Sequence, residues 1–255
     1  FSSYQTKQMF HMKDKNRIEV FDMSSDVLVY DVKNHRVVTD SLLFSKQAFE
    51  TFPSFSPDGK TLYFSSSVAQ KMPIDYKKVK YNICSISFDA ETGRFGTRVD
   101  TLFSVEQTGK TGTFPRVSPD GKFLAFTEAD YGNFTIWHKE ADLCLIDLKT
   151  KEIKSLDALN SLEAESYHAW SSNGRWLVFA SRRDDGLYSR PYIAYIDEEG
   201  TPHKAFVVPQ ASPDAYWDGL KSYNVPEFIT GPVNLQRKAV VEMAKHGQAK
   251  KVTAQ

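Results

Sequence analysis

Short runs of alternating hydrophobic and polar residues flank a turn motif at three places along the chain. In the first, Pro57 presets the backbone of a turn, Asp58 tolerates the next position, and Gly59 supplies the positive φ that closes a short hairpin loop. Alternating apolar residues follow each turn, at Leu62/Phe64, Leu124/Phe126 and Leu177/Phe179. The pattern predicts three β-hairpins within segments that align without gaps, 52–67, 114–129 and 167–182.

Two further predicted strands complete each unit. The third strands are apolar and three of the four end in Asp, at 26–31, 82–87, 142–147 and 192–197. Weaker fourth strands follow at 37–38, 98–103, 152–156 and 205–208. The units repeat at 62 and then 53 residues, which predicts an all-β fold, a β-propeller of four-stranded antiparallel blades. A β-sandwich would also have short strands, but it would not repeat a hairpin at a fixed place in a four-strand unit.

The motif Phe-Pro-x-x-Ser-Pro-Asp-Gly-Lys occurs at 52–60 and at 114–122, and its second variable position is Phe in the first copy and Val in the second. The motif resembles the WD-like repeat of the TolB family, periplasmic propellers of the Tol system. Similar repeats occur in the propellers of prolyl-oligopeptidase-type peptidases and in oligogalacturonate lyases. The resemblance covers roughly residues 52–209, and His168 departs from it by replacing the Pro of the other two repeats. It implies an envelope-associated propeller that binds proteins, for example in translocation. It assigns no activity, because the motif residues build the blade.

The two ends of the chain depart from the repeat. Residues 1–3 align with the end of a second strand, which predicts a partial blade at 1–51 before blades at 52–113, 114–166 and 167–210. About three and a half blades are then visible, and because propellers close into a ring we expect a parent protein with six or more. We predict that 211–255 form an irregular tail that ends in a short helix from Pro232 to His246.

Charge and cysteine content narrow the class of function. Lys+Arg and Asp+Glu number 32 each, and this balance argues against a nucleic-acid partner. No apolar run approaches the ~20 residues of a transmembrane segment, and the N-terminus shows no signal-peptide pattern. Cys84 and Cys144 occupy equivalent third-strand positions, which predicts core packing rather than a disulfide. The histidines lack metal-ligand spacing and no cofactor motif occurs, so we expect neither a metal nor a cofactor.

Unequal loop lengths predict the face of the propeller that binds a partner. The Pro-Asp-Gly hairpins share one face, whereas the loops between second and third strands share the opposite face with the crossovers between blades. These latter loops are long, at 4–25, 68–81, 129–141 and 182–191. Long loops usually carry function, and we call this side the long-loop face. Its aromatic and basic side chains are candidate partner-binding residues: Tyr76, Lys77, Lys78, Tyr131, Trp137, His138, Arg182, Arg183, Tyr188 and Arg190.

Two further candidates lie near the predicted mouth of the central channel. His168 begins an inner strand on the long-loop side, and Arg116 lies close to it in the preceding blade. The two side chains could bind an anionic group, or they could be hydrogen-bonded structural residues.

The sequence supports two classes of function. It contains no nucleophile elbow, no zinc-protease helix motif and no phosphate-binding loop. The leading hypothesis is therefore a non-catalytic envelope scaffold that recognises a protein or peptide with the long-loop face. An oligosaccharide is a second possible class of partner. The alternative is a carbohydrate-active or peptidase-associated propeller with its site at the central channel. A structural module within an envelope assembly would differ from the scaffold only in the permanence of binding.

Overall fold

The computed structural model describes residues 1–12, 14–16, 18–249 and 251–254, and most of its regular structure is antiparallel β-sheet. Three consecutive sheets have their strands in chain order from one edge to the other, and the first strands of neighbouring sheets contact each other. Sheets arranged in this way are the blades of a propeller. The predicted all-β fold with four-stranded antiparallel blades is confirmed.

The first four strands lie in two small sheets, which together we call the partial blade, and two of these strands form a long hairpin. The four strands are β1 (Ser2–Phe10), β2 (Ile18–Val27), β3 (Val29–Asp31) and β4 (Arg36–Val38). β1 pairs antiparallel with β2 along its whole length, and β3 pairs with β4. The prediction of a loop at 4–25 is therefore wrong. The two arms satisfy each other's backbone groups. Five of the ten residues of β2 are buried, and the strand contacts the first strand of the next blade, so the hairpin packs against the propeller.

Three full blades follow. The first contains β5 (Ala48–Phe55), β6 (Thr61–Val68), β7 (Asn82–Asp89), β8 (Arg94–Phe95) and β9 (Asp100–Phe103). After a crossover with helix α1 (Val105–Thr108), the second contains β10 (Thr111–Val117), β11 (Phe123–Ala129), β12 (Asp142–Asp147) and β13 (Ile153–Ser155). The third contains β14 (Glu165–Trp170), β15 (Trp176–Ser181), β16 (Arg190–Tyr195) and β17 (Phe206–Val207). In the first full blade both β8 and β9 pair with β7, so two short strands replace the single predicted strand at 98–103.

Local side-chain hydrogen bonds explain why the same turn closes each full blade's first hairpin. Ser56 Oγ donates to Asp58 Oδ1 at 2.6 Å and accepts from the Thr61 backbone N–H at 3.0 Å. Gly59 has φ of +70°, which lets the chain reverse without a Cβ clash. The Ser118 and Ser171 turns repeat these contacts, with Asn173 in place of the Asp.

A bulge interrupts each inner strand at the first residue of the repeat motif. Phe52, Phe114 and Tyr167 have φ of 53°, 55° and 51°, and the strand register shifts there in all three blades. The bulges bring the three rings together, with centroids 3.9 Å apart for Phe52 and Phe114 and 4.8 Å apart for Phe114 and Tyr167. The motif thus aims one aromatic ring per blade at its neighbour.

Apolar cores lie between blades, because each strand presents alternate side chains to the blade before it and the blade after it. Leu124 and Phe126 of β11 pack toward the first full blade, where the Phe103 ring lies 4.9 Å from Phe126. Phe123 and Ala125 of the same strand pack with the third full blade. Cys84 and Cys144 are free and buried in these interfaces.

The tail after the blades has more regular structure than we predicted. A short helix, α2 (Pro213–Asp218), begins with Pro at its first turn, a favoured position. Helix α3 (Arg237–His246) begins five residues later than the predicted start, and the side chain of its N-cap residue, Gln236, makes no capping hydrogen bond. Strand β18 (Thr253–Ala254) pairs parallel to β4, on the outer edge of the partial blade. None of the helices in the described part of the chain is long and apolar enough to cross a membrane.

Candidate functional site

The β1–β2 hairpin is anchored to the long loop of the second full blade by buried hydrogen bonds. Glu19 of β2 is 1% exposed, accepts a short hydrogen bond from the Tyr131 hydroxyl, and lies 3.1 Å from His138 Nε2. His138 is 1% exposed as well. Tyr131 and His138 therefore fix the loop to the hairpin, and His138 does not reach the surface.

Asp22 forms the second buried anchor of the hairpin. Its carboxylate accepts from Asn133 Nδ2 at 2.6 Å and from Thr6 Oγ1 at 2.8 Å. Burial raises the pKa of Asp22 to about 6, and the two hydrogen bonds oppose this rise. Hairpin and loop thus form one ordered surface.

Tyr76 and Lys77 join this surface from the first full blade. The Tyr76 hydroxyl lies 3.3 Å from His11 Nε2, and its ring stacks on Phe21 with centroids 5.6 Å apart. Lys77 Nζ donates to Asp14 Oδ2 at 2.8 Å, and this hydrogen bond raises the pKa of Lys77. Lys78 instead pairs with Asp75 of its own turn and lines a separate cavity of about 570 Å³ beside α1.

A second cavity, of about 340 Å³, lies among the tips of the long loops, and we call it the loop cavity. The Arg182 guanidinium lies over the Trp137 ring at 4.8 Å from its centroid and donates to the Leu187 carbonyl at 2.7 Å. The partial blade contributes two residues, the second full blade two, and the crossover and the third full blade the rest. The lining is Lys15, Ile18, Trp137, Lys139, Glu163, Ala164, Arg182, Asp185, Gly186 and Leu187.

Charges of both signs are paired around the loop cavity. Lys15 Nζ lies 2.9 Å from Glu140 and 3.3 Å from Asp130, and Lys139 Nζ lies 2.5 Å from Glu163. Surface ion pairs of this kind stabilise little but fix side-chain positions. The cavity therefore offers an aromatic ring surrounded by oriented donors and acceptors.

The two other candidate arginines of the third full blade, Arg183 and Arg190, are engaged in contacts within the protein. Arg183 pairs with buried Glu165 at 3.2 Å and lies over the Tyr192 ring at 4.3 Å, so it holds the blade together rather than facing a partner. Arg190 is 2% exposed and lies 6.0 Å from the Tyr188 ring centroid.

The two candidates at the channel differ in access. His168 is 3% exposed, and desolvation lowers its pKa to about 3, which keeps the imidazole neutral. Arg116 is half-buried, and its carbonyl accepts a hydrogen bond from Trp170 Nε1 at 3.0 Å. The His168 imidazole is therefore not exposed to a ligand.

Four acids and amides that organise this face are not among the candidates predicted from the sequence: Asn16, Glu19, Asp22 and Asn133. Each is at most 2% exposed, although each belongs to a residue type that is usually solvated. Each has a partner more than 100 positions away along the chain, so no local pattern marks it. Within the described residues, no group of three or more His, Cys, Asp or Glu side chains could hold a metal ion.

Comparisons with known proteins give structural likeness only. The sequence matches no protein-family model and no curated protein. TolB from Acinetobacter baumannii aligns at 19% identity over 74% of this chain and 37% of its own, with a TM-score of 0.44. An oligogalacturonate lyase in complex with manganese aligns at 15% identity over 76% and 51%, with a TM-score of 0.49. The β-propeller domain of the Trilobed protease from Pyrococcus furiosus aligns at 18% identity over 65% and 44%, with a TM-score of 0.38.

This chain thus spans between 37% and 51% of the length of these three structures. At such identities they assign no activity to it, and function has to be argued from its own residues.

Proposed function

We propose that this chain is part of a binding scaffold that recognises a segment of a protein or peptide with its long-loop face. The observation that carries the proposal is the loop cavity of about 340 Å³, which segments from three blades line together. Ligand sites are concave and combine apolar surface with a few oriented polar groups. The loop cavity is concave, and it combines the apolar side chains of Ile18, Trp137 and Leu187 with five charged side chains.

The chemistry of the cavity supports a polypeptide as the ligand. Trp137 offers a ring, Lys139 and Arg182 offer donors, and Glu163 and Asp185 offer acceptors. A peptide segment presents amides, carbonyls and charges of both signs, whereas a polyanion selects a surface of predominantly positive charge. The mixed lining therefore favours a polypeptide segment over a charged polymer. The resemblance of the repeats to TolB supports an envelope location as part of the same proposal.

Site-specific photo-crosslinking tests the proposal without disturbing the packed anchors. A photoreactive residue is placed at Lys139 or Leu187, which are exposed at the loop cavity, and as a control at Lys60 or Lys122, which are exposed on the opposite face. We expect adducts with a polypeptide of the source cell at the first pair only. Trp137→Ala should lower their yield severalfold while the protein stays folded. Equal yields on both faces, or yields unaffected by Trp137→Ala, would contradict the proposal.

The alternative of a carbohydrate-active or peptidase-associated propeller makes a different prediction. Turnover of acidic oligosaccharides or peptides by the purified chain would replace the scaffold proposal with an enzymatic one. Arg116→Gln should then abolish turnover, whereas Trp137→Ala should leave it unchanged.

A further inference from the structure

Arg190 begins β16 at the long-loop end of the third full blade, and three aromatic rings enclose its guanidinium. The ring centroids lie at 4.9 Å for Trp217, 5.3 Å for Tyr216 and 6.0 Å for Tyr188. Two of these rings belong to α2, in the tail that follows the blades. Arg190 is 2% exposed, so a cation is almost completely withdrawn from water at this point.

The hydrogen bonds of Arg190 are incomplete. Nη2 donates to the Trp217 carbonyl at 3.3 Å, and the Asp185 carboxylate lies 3.8 Å from the same nitrogen. Nε and Nη1 are buried without an acceptor among the described residues, and the buried Tyr216 hydroxyl is unpaired in the same sense. Buried donors are normally satisfied, and a guanidinium binds oxyanions best. The chemistry of the site is therefore that of a receptor for an acidic group.

The segment that covers Arg190 is held by few contacts, and we call residues 212–223 the strap. Tyr216 is its one buried residue, and Leu220 is 81% exposed. The Trp217 carbonyl and the rings hold the strap to Arg190. The strap is also joined to the blade at Ser189, whose carbonyl accepts from the Tyr223 N–H at 2.9 Å and whose N–H donates to the Ser222 hydroxyl at 3.3 Å. Ring–cation contacts are weaker than charge-assisted hydrogen bonds. A carboxylate could therefore replace the strap at Arg190.

We propose that Arg190 is a binding site for an acidic side chain of the partner polypeptide, and that the strap covers this site until the partner displaces it. The inference rests on the proposed function and deepens it, because Asp185 lines the loop cavity and also neighbours Arg190. A partner segment in the loop cavity could thus place a Glu or Asp against Arg190. Strap and partner compete, so the apparent affinity of the partner for Arg190 is the intrinsic affinity multiplied by the fraction of protein in which the site is uncovered.

The test is titration of the full chain with end-blocked hexaglutamate, with end-blocked hexaglutamine as the uncharged probe. Trp217→Ala removes the ring nearest to Arg190 and should tighten hexaglutamate binding at least about threefold. Leu220→Ala, an exposed change in the same strap, is the matched control and should bind like the unmodified protein. Arg190→Lys added to Trp217→Ala keeps the charge but loses the fork of donors, and it should abolish the gain.

Each result decides the proposal. The proposal is overturned if Trp217→Ala does not tighten hexaglutamate binding, or if the tighter binding persists when Arg190→Lys is added. Tighter binding of inorganic phosphate without tighter binding of hexaglutamate overturns it as well. If Arg190→Lys does not fold, hydrogen exchange of the unmodified protein tests the proposal instead. Saturating hexaglutamate should speed the exchange of the strap amides. Unchanged protection of these amides overturns the proposal. Failure here leaves the Lys139 and Leu187 crosslinks unaffected, so it is distinguishable from failure of the proposed function.

Discussion

Asp22 is a buried carboxyl with two hydrogen-bond donors and no cationic partner within the described residues. Thr6 and Asn133 satisfy its oxygens, yet burial penalises the charged form more than these bonds favour it, and its pKa rises to about 6. The unfolded chain has a lower pKa, near 3.8. Protonation therefore favours the folded state. The stabilisation of the fold by the protonated Asp22 carboxyl is complete below about pH 4 and is lost as the pH rises through 6.

Asp22→Asn should remove this dependence. We expect the free energy of unfolding of the variant, relative to the unmodified protein, to rise by on the order of 2 kcal/mol between pH 4 and pH 7.5. Denaturant unfolding at the two pH values measures it. Glu50 and Asp142, whose pKa values also rise, to about 8 and about 6, are present in both proteins and cancel in the difference. Glu198→Gln, an exposed control, should show no such change, and a pH-independent difference for Asp22→Asn would refute the assignment.

Turns are the elements that depend most on local sequence, but the cost of a substitution in a turn depends on what the turn packs against. Gly59 and Gly200 both have positive φ, +70° and +74°. A Cβ on Gly59 would have no atom within 4 Å, whereas a Cβ on Gly200 would lie 2.8 Å from Phe123 Cε1 and 2.9 Å from Leu145 Cδ2. The first turn is free in solvent and the second is pressed against a neighbouring blade.

Alanine at these two glycines should therefore have unequal costs. Gly59→Ala should lower the free energy of unfolding by about 1 kcal/mol, the cost of a left-handed backbone. Gly200→Ala adds a clash with two core side chains and should cost about 2–4 kcal/mol in all. Thermal and denaturant unfolding measure both. Equal costs would mean that the 198–200 turn does not contact the second full blade as described.

At the scale of the whole molecule, the apolar cores lie between neighbouring blades. Phe126 is fully buried against Phe103 of the preceding blade. Its own sheet also depends on the third full blade through Phe123. Damage at one interface should therefore spread to both adjoining sheets.

Phe126→Ala should lower the free energy of unfolding by about 3–5 kcal/mol, the usual cost of emptying a buried aromatic site. Hydrogen exchange should become faster in β7 as well as in β12, because the two sheets share the interface. Ile153→Ala, on an outer strand where the side chain is 39% exposed, should cost less than about 1 kcal/mol and leave β7 protected. Loss of protection confined to the second full blade would contradict shared stability.

Local sequence by itself determined the turns, the strand alternation and the four-strand period, and through them the propeller. These features depend on residues a few positions apart, such as Ser56, Asp58 and Gly59, so a linear pattern contains them. The tertiary structure alone decided that β1 and β2 pair as a hairpin, that His138 is enclosed, that Arg183 pairs with Glu165, and that α2 covers Arg190. Glu19 and His138 are 119 positions apart, and Arg190 and Trp217 are 27 apart. Burial by such distant contacts decides whether a charged side chain binds a partner or supports the fold. The residues next to that side chain in the sequence do not predict this burial.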